Sequence, residues 1–255
     1  MEILGHNHQV IHGSGARMDL LSNGQVDLVI TSPPYFSSET LELLVAPRSQ
    51  QHRHSDVTRS LYDFAFTNRP IFAECHRVLK DGHPFVIQTK DIRYGDIIIP
   101  LSDHHLSIAM SCGFNLISRF NWIPHQSSFK RKPLVIRQKK VGQFRVETGE
   151  TFLILTKGNS LKFRGILEDQ NIDLSSLTLP LWRVPFKRRK YDHPYASPRP
   201  VIRNLITLLS HEGDLIVDPF SGYGTILEVA KSLKRAAIGW EIDKECVFQS
   251  QEILQ

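Results

Sequence analysis

Short runs of Val, Ile and Leu, each stopped by proline or glycine, alternate along this chain with helix-period segments. That alternation limits the fold more than any other feature. Asp27–Thr31 (DLVIT) reads as a buried strand ending at Ser-Pro-Pro. Pro84–Thr89, Leu116–Trp122, Phe152–Thr156, Leu215–Val217 and Ala236–Trp240 read as further strands. Ile71–Leu79, Ser102–Met110, Arg199–Leu209 and Ile226–Leu233 read as helices, with Pro198 and Pro200 opening the third. Strands that are apolar throughout, with helices between them, predict an α/β fold: a mostly parallel sheet covered on both faces. The 255 residues suit one domain. The least regular stretches are Ser37–Thr58 and Ser127–Glu150, the first choices for substrate-facing loops.

Composition excludes several classes. Hydrophobic residues are 41% of the chain, so a normal core can form. No run approaches the 18 apolar residues of a membrane span, and the N-terminal residues have no signal-peptide pattern. Three scattered cysteines (Cys75, Cys112, Cys246) form neither a disulfide framework nor a zinc pattern, which fits a reducing cytoplasm. Histidines are numerous but not spaced as metal ligands; His104 and His105, being adjacent, are expected at the surface or as caps. Asp56 and Asp63 are expected to be solvated, and Arg53 and Arg59 could touch phosphate.

The net charge of +5 is concentrated. Lys130, Arg131, Lys132, Arg137, Lys139, Lys140 and Arg145 form one acid-free segment; Arg183, Lys187, Arg188, Arg189 and Lys190 form another. Phe129, Phe144, Trp182, Phe186 and Tyr191 are interleaved with them. Cations neutralise phosphates and aromatic faces stack on bases, so these segments point to nucleic acid. The remaining 19 basic residues are outnumbered by 26 acidic ones.

Two strand-end loops carry the chemistry. In the first, Thr31-Ser32-Pro33-Pro34-Tyr35 follows the Asp27 strand. Ligands of open α/β sheets bind at the carboxyl ends of strands. Two prolines fix the backbone and leave rigidly aimed carbonyls. Ser32 adds a hydroxyl and Tyr35 a flat π face. Such a loop can hold a planar group with an amine at its edge. In the second, Asp218-Pro219-Phe220-Ser221-Gly222-Tyr223-Gly224-Thr225 follows the Leu215 strand and precedes a helix that Thr225 can cap. Glu241 ends the next strand, 19 residues after Gly222, at the spacing of a ribose-binding carboxylate. Asp218 would repel a pyrophosphate but suits a cationic amino-acid group. A nucleoside joined to an amino acid therefore fits better than NAD or ATP.

Together the two motifs resemble the DNA amino-methyltransferases that use S-adenosylmethionine. Their order, TSPPY first and FSGYGT last, is similar to the circularly permuted β class. ECHRVLKDGHPFVI, Asp91–Pro100, Gly113–Trp122, ETFLILTK and HPYASPRPVIRNLI resemble further blocks of that family, so the likeness reaches nearly the whole chain. It implies a Rossmann-like methyltransferase fold with a short target-recognition insertion, and S-adenosylmethionine as methyl donor, S-adenosylhomocysteine as product and no metal. Ser32, Pro33, Pro34 and Tyr35 become the catalytic loop. Thr31, Asp218, Pro219, Phe220, Ser221, Gly222, Gly224, Thr225, Glu241 and Ser197 become cofactor contacts. The family flips its base out of duplex DNA before reaction. Serine at the first loop position resembles enzymes that methylate cytosine N4; adenine N6 is the alternative. RNA or protein amine methylation, or an inactive nucleic-acid-binding subunit, stand behind both.

The family often has Gly-Asp before the catalytic strand; here the stretch is His12-Gly13-Ser14-Gly15-Ala16. Ser14 either bonds the cofactor differently or has no role in binding. The recognition region is short, so target contacts fall to residues 127–149 and 158–192, with Lys130, Arg131, Lys132, Arg137, Lys139, Lys140, Lys187, Arg188, Arg189 and Lys190 on the DNA. The family further implies a possible homodimer and a possible restriction endonuclease acting on the same site.

Overall fold

The computed structural model describes residues 8–34, 54–94, 97–123, 149–161, 181–182, 184 and 197–254, with the backbone alone at 54–63, 93–94 and 97–98. Its main sheet has eight strands. They are β1 (Gln9–His12), β2 (Leu28–Thr31), β3 (Pro84–Thr89), β6 (Phe114–Trp122), β7 (Glu150–Lys157), β8 (Leu181–Trp182), β9 (Leu215–Asp218) and β10 (Ala236–Glu241). The spatial order is β1-β10-β9-β2-β3-β7-β6-β8. Five neighbours, β1 to β3 in that order, are parallel; β7 runs against both β3 and β6. A separate hairpin pairs β4 (Ile92–Tyr94) with β5 (Ile97–Ile99).

The helices are α1 (His54–Val78), α2 (Leu101–Ser111), α3 (Arg199–Leu209), α4 (Thr225–Ser232) and α5 (Lys244–Leu254). They cover both faces. Val201, Ile202, Leu205 and Ile206 of α3 pack with Leu28, Ile30, Val86 and Phe152 on one face. Ile71, Phe72 and Cys75 of α1 and Ile108 of α2 pack with Val29, Phe85, Ile87 and Leu153 on the other. Strands β2 and β3 are buried at every position, which is why they read as unbroken apolar runs. Burying one such aliphatic side chain contributes about 1.5–3 kcal/mol.

At the amino ends of these strands Asp27 acts as a clasp. Its carboxylate accepts from Lys80 Nζ at 2.5 Å and from the Leu215 N–H at 3.0 Å. Residues 13–25 pass down the α1 face as a strap. Arg77 holds it, donating to the carbonyls of Leu21 and Met18 at 2.9 and 3.2 Å. Arg77 also pairs with Glu74, whose carboxyl is held below the usual range mainly by that bond.

Several expectations change. The Ile71–Leu79 helix is the last part of a 25-residue helix beginning at His54. Its polar first half and internal Pro70 hid it, and residues 54–58, read as loop, are helical. Asp56 and Asp63 therefore lie inside α1 rather than beside it. Strand β1 and helix α5 had no clear pattern: one is four residues long, and the other leaves Phe248 and Ile253 exposed. His105 is not at the surface. It is fully buried, beside the rings of Phe64 and Phe72, with Nδ1 2.9 Å from Thr89 Oγ1. Burial, then the neighbouring His104, pushes its pKa down to about 3, so the imidazole is neutral at ordinary pH. Among the described residues no helix is long and apolar enough to cross a membrane.

Candidate active site

The parallel strands β10, β9, β2 and β3 all end at one edge of the sheet, and both loops lie there. Strands β2 and β9 are direct neighbours, although Thr31 and Asp218 are 187 residues apart in the chain. Thr31 Oγ1 donates to Asp218 Oδ1 at 2.6 Å. The loop after β2 therefore leaves the sheet beside the glycine loop. Thr31 is wholly buried with its hydroxyl on Asp218, so it joins the loops. Ser32 is half-buried, Pro33 buried and Pro34 exposed. Tyr35 lies outside the described residues, as do Arg53, residues 127–148 and the ten lysines and arginines expected on DNA.

Asp218 is 2% exposed, and Phe220 N–H donates to the same Oδ1 at 3.1 Å. Burial pushes its pKa up to about 7. The Thr31 and Phe220 bonds pull the other way, and the charge of Glu241 adds to the rise. A carboxylate so placed gains strongly from a cationic ligand group.

The glycine loop is seated on β10. Ser221 donates from N–H and Oγ to the Trp240 carbonyl at 3.0 and 3.2 Å. Gly239 permits this: a Cβ there would stand 2.6 Å from that of Ser221. Glu241 accepts from Gly222 N–H at 2.9 Å and from Asp243 N–H at 2.8 Å, one on each oxygen. The remaining lone pairs of both oxygens stay available for ribose hydroxyls. Gly222 (φ +50°) has open space where a side chain would stand. Open space beside a fixed carboxylate and a buried acid suits the ribose and amino-acid parts of S-adenosylmethionine. Gly224 (φ +76°) is the residue before α4, and any side chain on it would collide with Ser250. Thr225, expected to cap α4, is instead its first residue, buried and with no side-chain cap bond. Gly224 occupies the N-cap position itself, with no side chain to cap the first turn. Ser197 is buried just before α3.

The His12–Ala16 stretch also belongs to this edge. Gly13 N–H donates to the Glu241 carbonyl at 2.9 Å. Gly15 lies so close to Pro219 that a Cβ would stand 2.7 Å from its side chain. Ser14 Oγ accepts from Ala16 N–H at 3.2 Å, bracing the turn. The paired glycines of the segment were the signal for this packing. Gln88 and Glu150, on β3 and β7, were missed. They donate and accept across the same edge at 2.5 Å.

No thiol here is poised for attack. Burial raises the pKa of Cys75 and Cys112, and that of Cys246 to about 11. Among the described residues no cluster could hold a metal.

Two similar proteins are the Type II methyltransferase M.BglII of Bacillus subtilis (26% identity; 98% of this chain, 69% of that one) and the DNA adenine methyltransferase YhdJ of Escherichia coli (25%; 93% and 79%). Two similar solved structures are TTHA0409 of Thermus thermophilus complexed with S-adenosyl-L-methionine and the cytosine-N4-specific PvuII DNA methyltransferase. The first has a TM-score of 0.70 at 21% identity and covers 96% of this chain and 92% of that one. The second has 0.69 at 18%, covering 98% and 86%. They share the Rossmann-like fold. The family model described as DNA methylase, for N6 and N4 amines, matches residues 26–252. That span takes in both strand-end loops and every strand of the sheet but β1, and the chain belongs to this family of DNA methylases.

Proposed function

We propose that this chain transfers a methyl group from S-adenosylmethionine to the exocyclic amine of a base flipped from duplex DNA, with cytosine N4 preferred. The observation that carries the reading is the Thr31–Asp218 hydrogen bond, which sets Ser32-Pro33-Pro34 beside the glycine loop. Glu241 accepts from the ribose hydroxyls, and Asp218 meets the cationic amino-acid end. Pro219, Phe220, Ser221, Gly222, Gly224 and Thr225 shape the space between, and Ser197, buried just before α3, is a further cofactor contact. When bound, S-adenosylmethionine supplies an electrophilic methyl on a sulfonium.

Ser32 Oγ and the Pro33 carbonyl accept the amine hydrogens, and Tyr35 stacks on the base. The amine lone pair is delocalised into the ring, and acceptors on both hydrogens favour a more tetrahedral nitrogen. Holding that nitrogen in line with the methyl supplies much of the rate. No enzyme nucleophile takes part, in keeping with the raised cysteines. The basic residues of 127–149 and 158–192, from Lys130 to Lys140 and Lys187 to Lys190, take the phosphates within a single 1–255 domain. A homodimer and a partner endonuclease complete the proposal.

Serine at position 32 favours cytosine. The similarity to an adenine methyltransferase favours N6 as the second reading. Purified protein, labelled S-adenosylmethionine and mixed-sequence duplex DNA decide between them, with nucleosides identified by mass spectrometry. N4-methylcytosine is expected. N6-methyladenine would keep the mechanism and remove the weight placed on Ser32. Cofactor binding with no methylated deoxynucleoside would redirect the reading to RNA or protein. No cofactor binding would leave a DNA-binding relic.

A further inference from the structure

Gln88 is the fifth residue of β3, in an otherwise apolar or threonine-bearing stretch. It is 2% exposed. Its Nε2 donates to Glu150 Oε2 at 2.5 Å, while its Oε1 is buried with no hydrogen-bond partner. Buried amide oxygens are normally satisfied, so this one calls for a function. A carboxylate only accepts. Glu150 therefore holds the amine end of the carboxamide and turns its oxygen away.

The register says where this group stands. Thr31 lies opposite Ile87, so Ser32 and Gln88 each follow by one residue on neighbouring strands. Val86 and Phe152, the latter opposite Gln88, belong to the core beneath α3. Side chains alternate along strands, which puts Gln88 and Glu150 on that face. Ile30 belongs to the same core, and Ser32 lies two residues beyond it. The unpartnered oxygen is thus on the face that Ile30 and Val86 share, at the strand end from which Ser32 leaves.

We propose that Gln88, oriented by Glu150, is a further acceptor for the amine of the target base, acting beside Ser32 and the Pro33 carbonyl. This rests on the methyltransferase reading above. A serine hydroxyl is a weak acceptor that must itself donate somewhere. A clamped carboxamide oxygen has no proton to place and two lone pairs to offer. It suits an amino base and repels a keto base, whose oxygen would face it unpaired. Gln88 therefore reads amine against carbonyl, which cytosine and adenine pass and uracil fails.

The test uses a duplex carrying the sequence found methylated by the wild-type protein, and a second duplex with a keto base at the target. Gln88→Leu is expected to lower the single-turnover rate on saturating DNA by about 100–1,000-fold, the range for losing one hydrogen-bond partner of the transition state. Its cofactor Kd and Tm are expected to stay near wild type, and its tighter binding of the amino than of the keto duplex, the preference read here as a ratio of Kd values, to vanish. Glu150→Gln keeps an acceptor for Gln88 but, able to donate as well, no longer forbids the flipped carboxamide, and is expected to fall between wild type and Glu150→Leu in rate and preference. Glu150→Leu frees the carboxamide and is expected to behave like Gln88→Leu. The Glu150 pair carries the test if Gln88→Leu does not fold. The proposal is overturned if Gln88→Leu keeps both rate and preference. It is equally overturned if cofactor binding and rate fall together, which marks a packing role. A wild-type protein that binds S-adenosylmethionine but methylates no DNA would instead sink the underlying reading, and this proposal with it.

Discussion

Gly224→Val is expected to destabilise the protein by about 3 kcal/mol or more, from left-handed strain plus overpacking. Gly224 has φ +76° and no room for a Cβ, because Ser250 of α5 packs against it. The valine must turn the Ser250 hydroxyl aside and press on its Cβ, with its own branches crowding the start of α4. Gly222→Ala is the control. Its φ is +50° but the space is open, so only about 1 kcal/mol of backbone strain is expected. The two should part in function as well. The alanine methyl at 222 enters the space assigned to the ligand, so cofactor affinity falls while the fold survives. Urea titration and cofactor calorimetry on both variants check this. Equal stability losses would refute the contrast.

Asp218→Asn is expected to stabilise the ligand-free protein at pH 8 and to weaken cofactor binding by at least about tenfold. The wild-type carboxyl titrates near pH 7 in the fold against an ordinary value of 3.8. A raised carboxyl favours folding below its unfolded pKa, and that contribution is lost as pH rises through about 7. The whole step is worth about 4 kcal/mol, an order-of-magnitude figure. His105 works in the opposite sense. Its folded pKa, about 3, lies below the ordinary 6.5, so its contribution is present above 6.5 and drains as pH falls toward 3. Between pH 4 and 6.5 the two slopes nearly cancel. The wild type should be flat there, Asp218→Asn should lose stability on acidification, and His105→Phe should gain it. Urea midpoints at pH 4.5, 6 and 8 would show this. A flat profile in all three proteins would refute it.

Much of this was legible in the chain. β2, β3, β9 and β10 are central and covered on both sides, so no polar residue interrupted their runs except near the ends. The loops after β2 and β9 stood out because proline and glycine are needed where a strand must stop beside a ligand. What was illegible depends on partners distant in sequence. Nothing in FVIQT says that Gln88 meets a glutamate 62 residues later. Nothing near His105 announces that Phe64, Phe72 and Thr89 close over it. The capping role given to Thr225 failed because α4 begins one residue earlier than that role needs, leaving Gly224 in the N-cap position.

The adjacency of β2 and β9 also governs how the molecule is made. β2 leaves the ribosome early, with its partner β9 more than 180 residues behind it. At about 5–20 residues per second, the delay is on the order of 10–40 s. Throughout it, a strand apolar but for Thr31 has an unpaired edge, the condition that invites aggregation. Neither loop has its neighbour until the final stretch of chain emerges, so no truncated nascent chain can bind the methyl donor. Expression should depend on chaperones that shield that edge, and cooler, slower growth should raise the soluble yield.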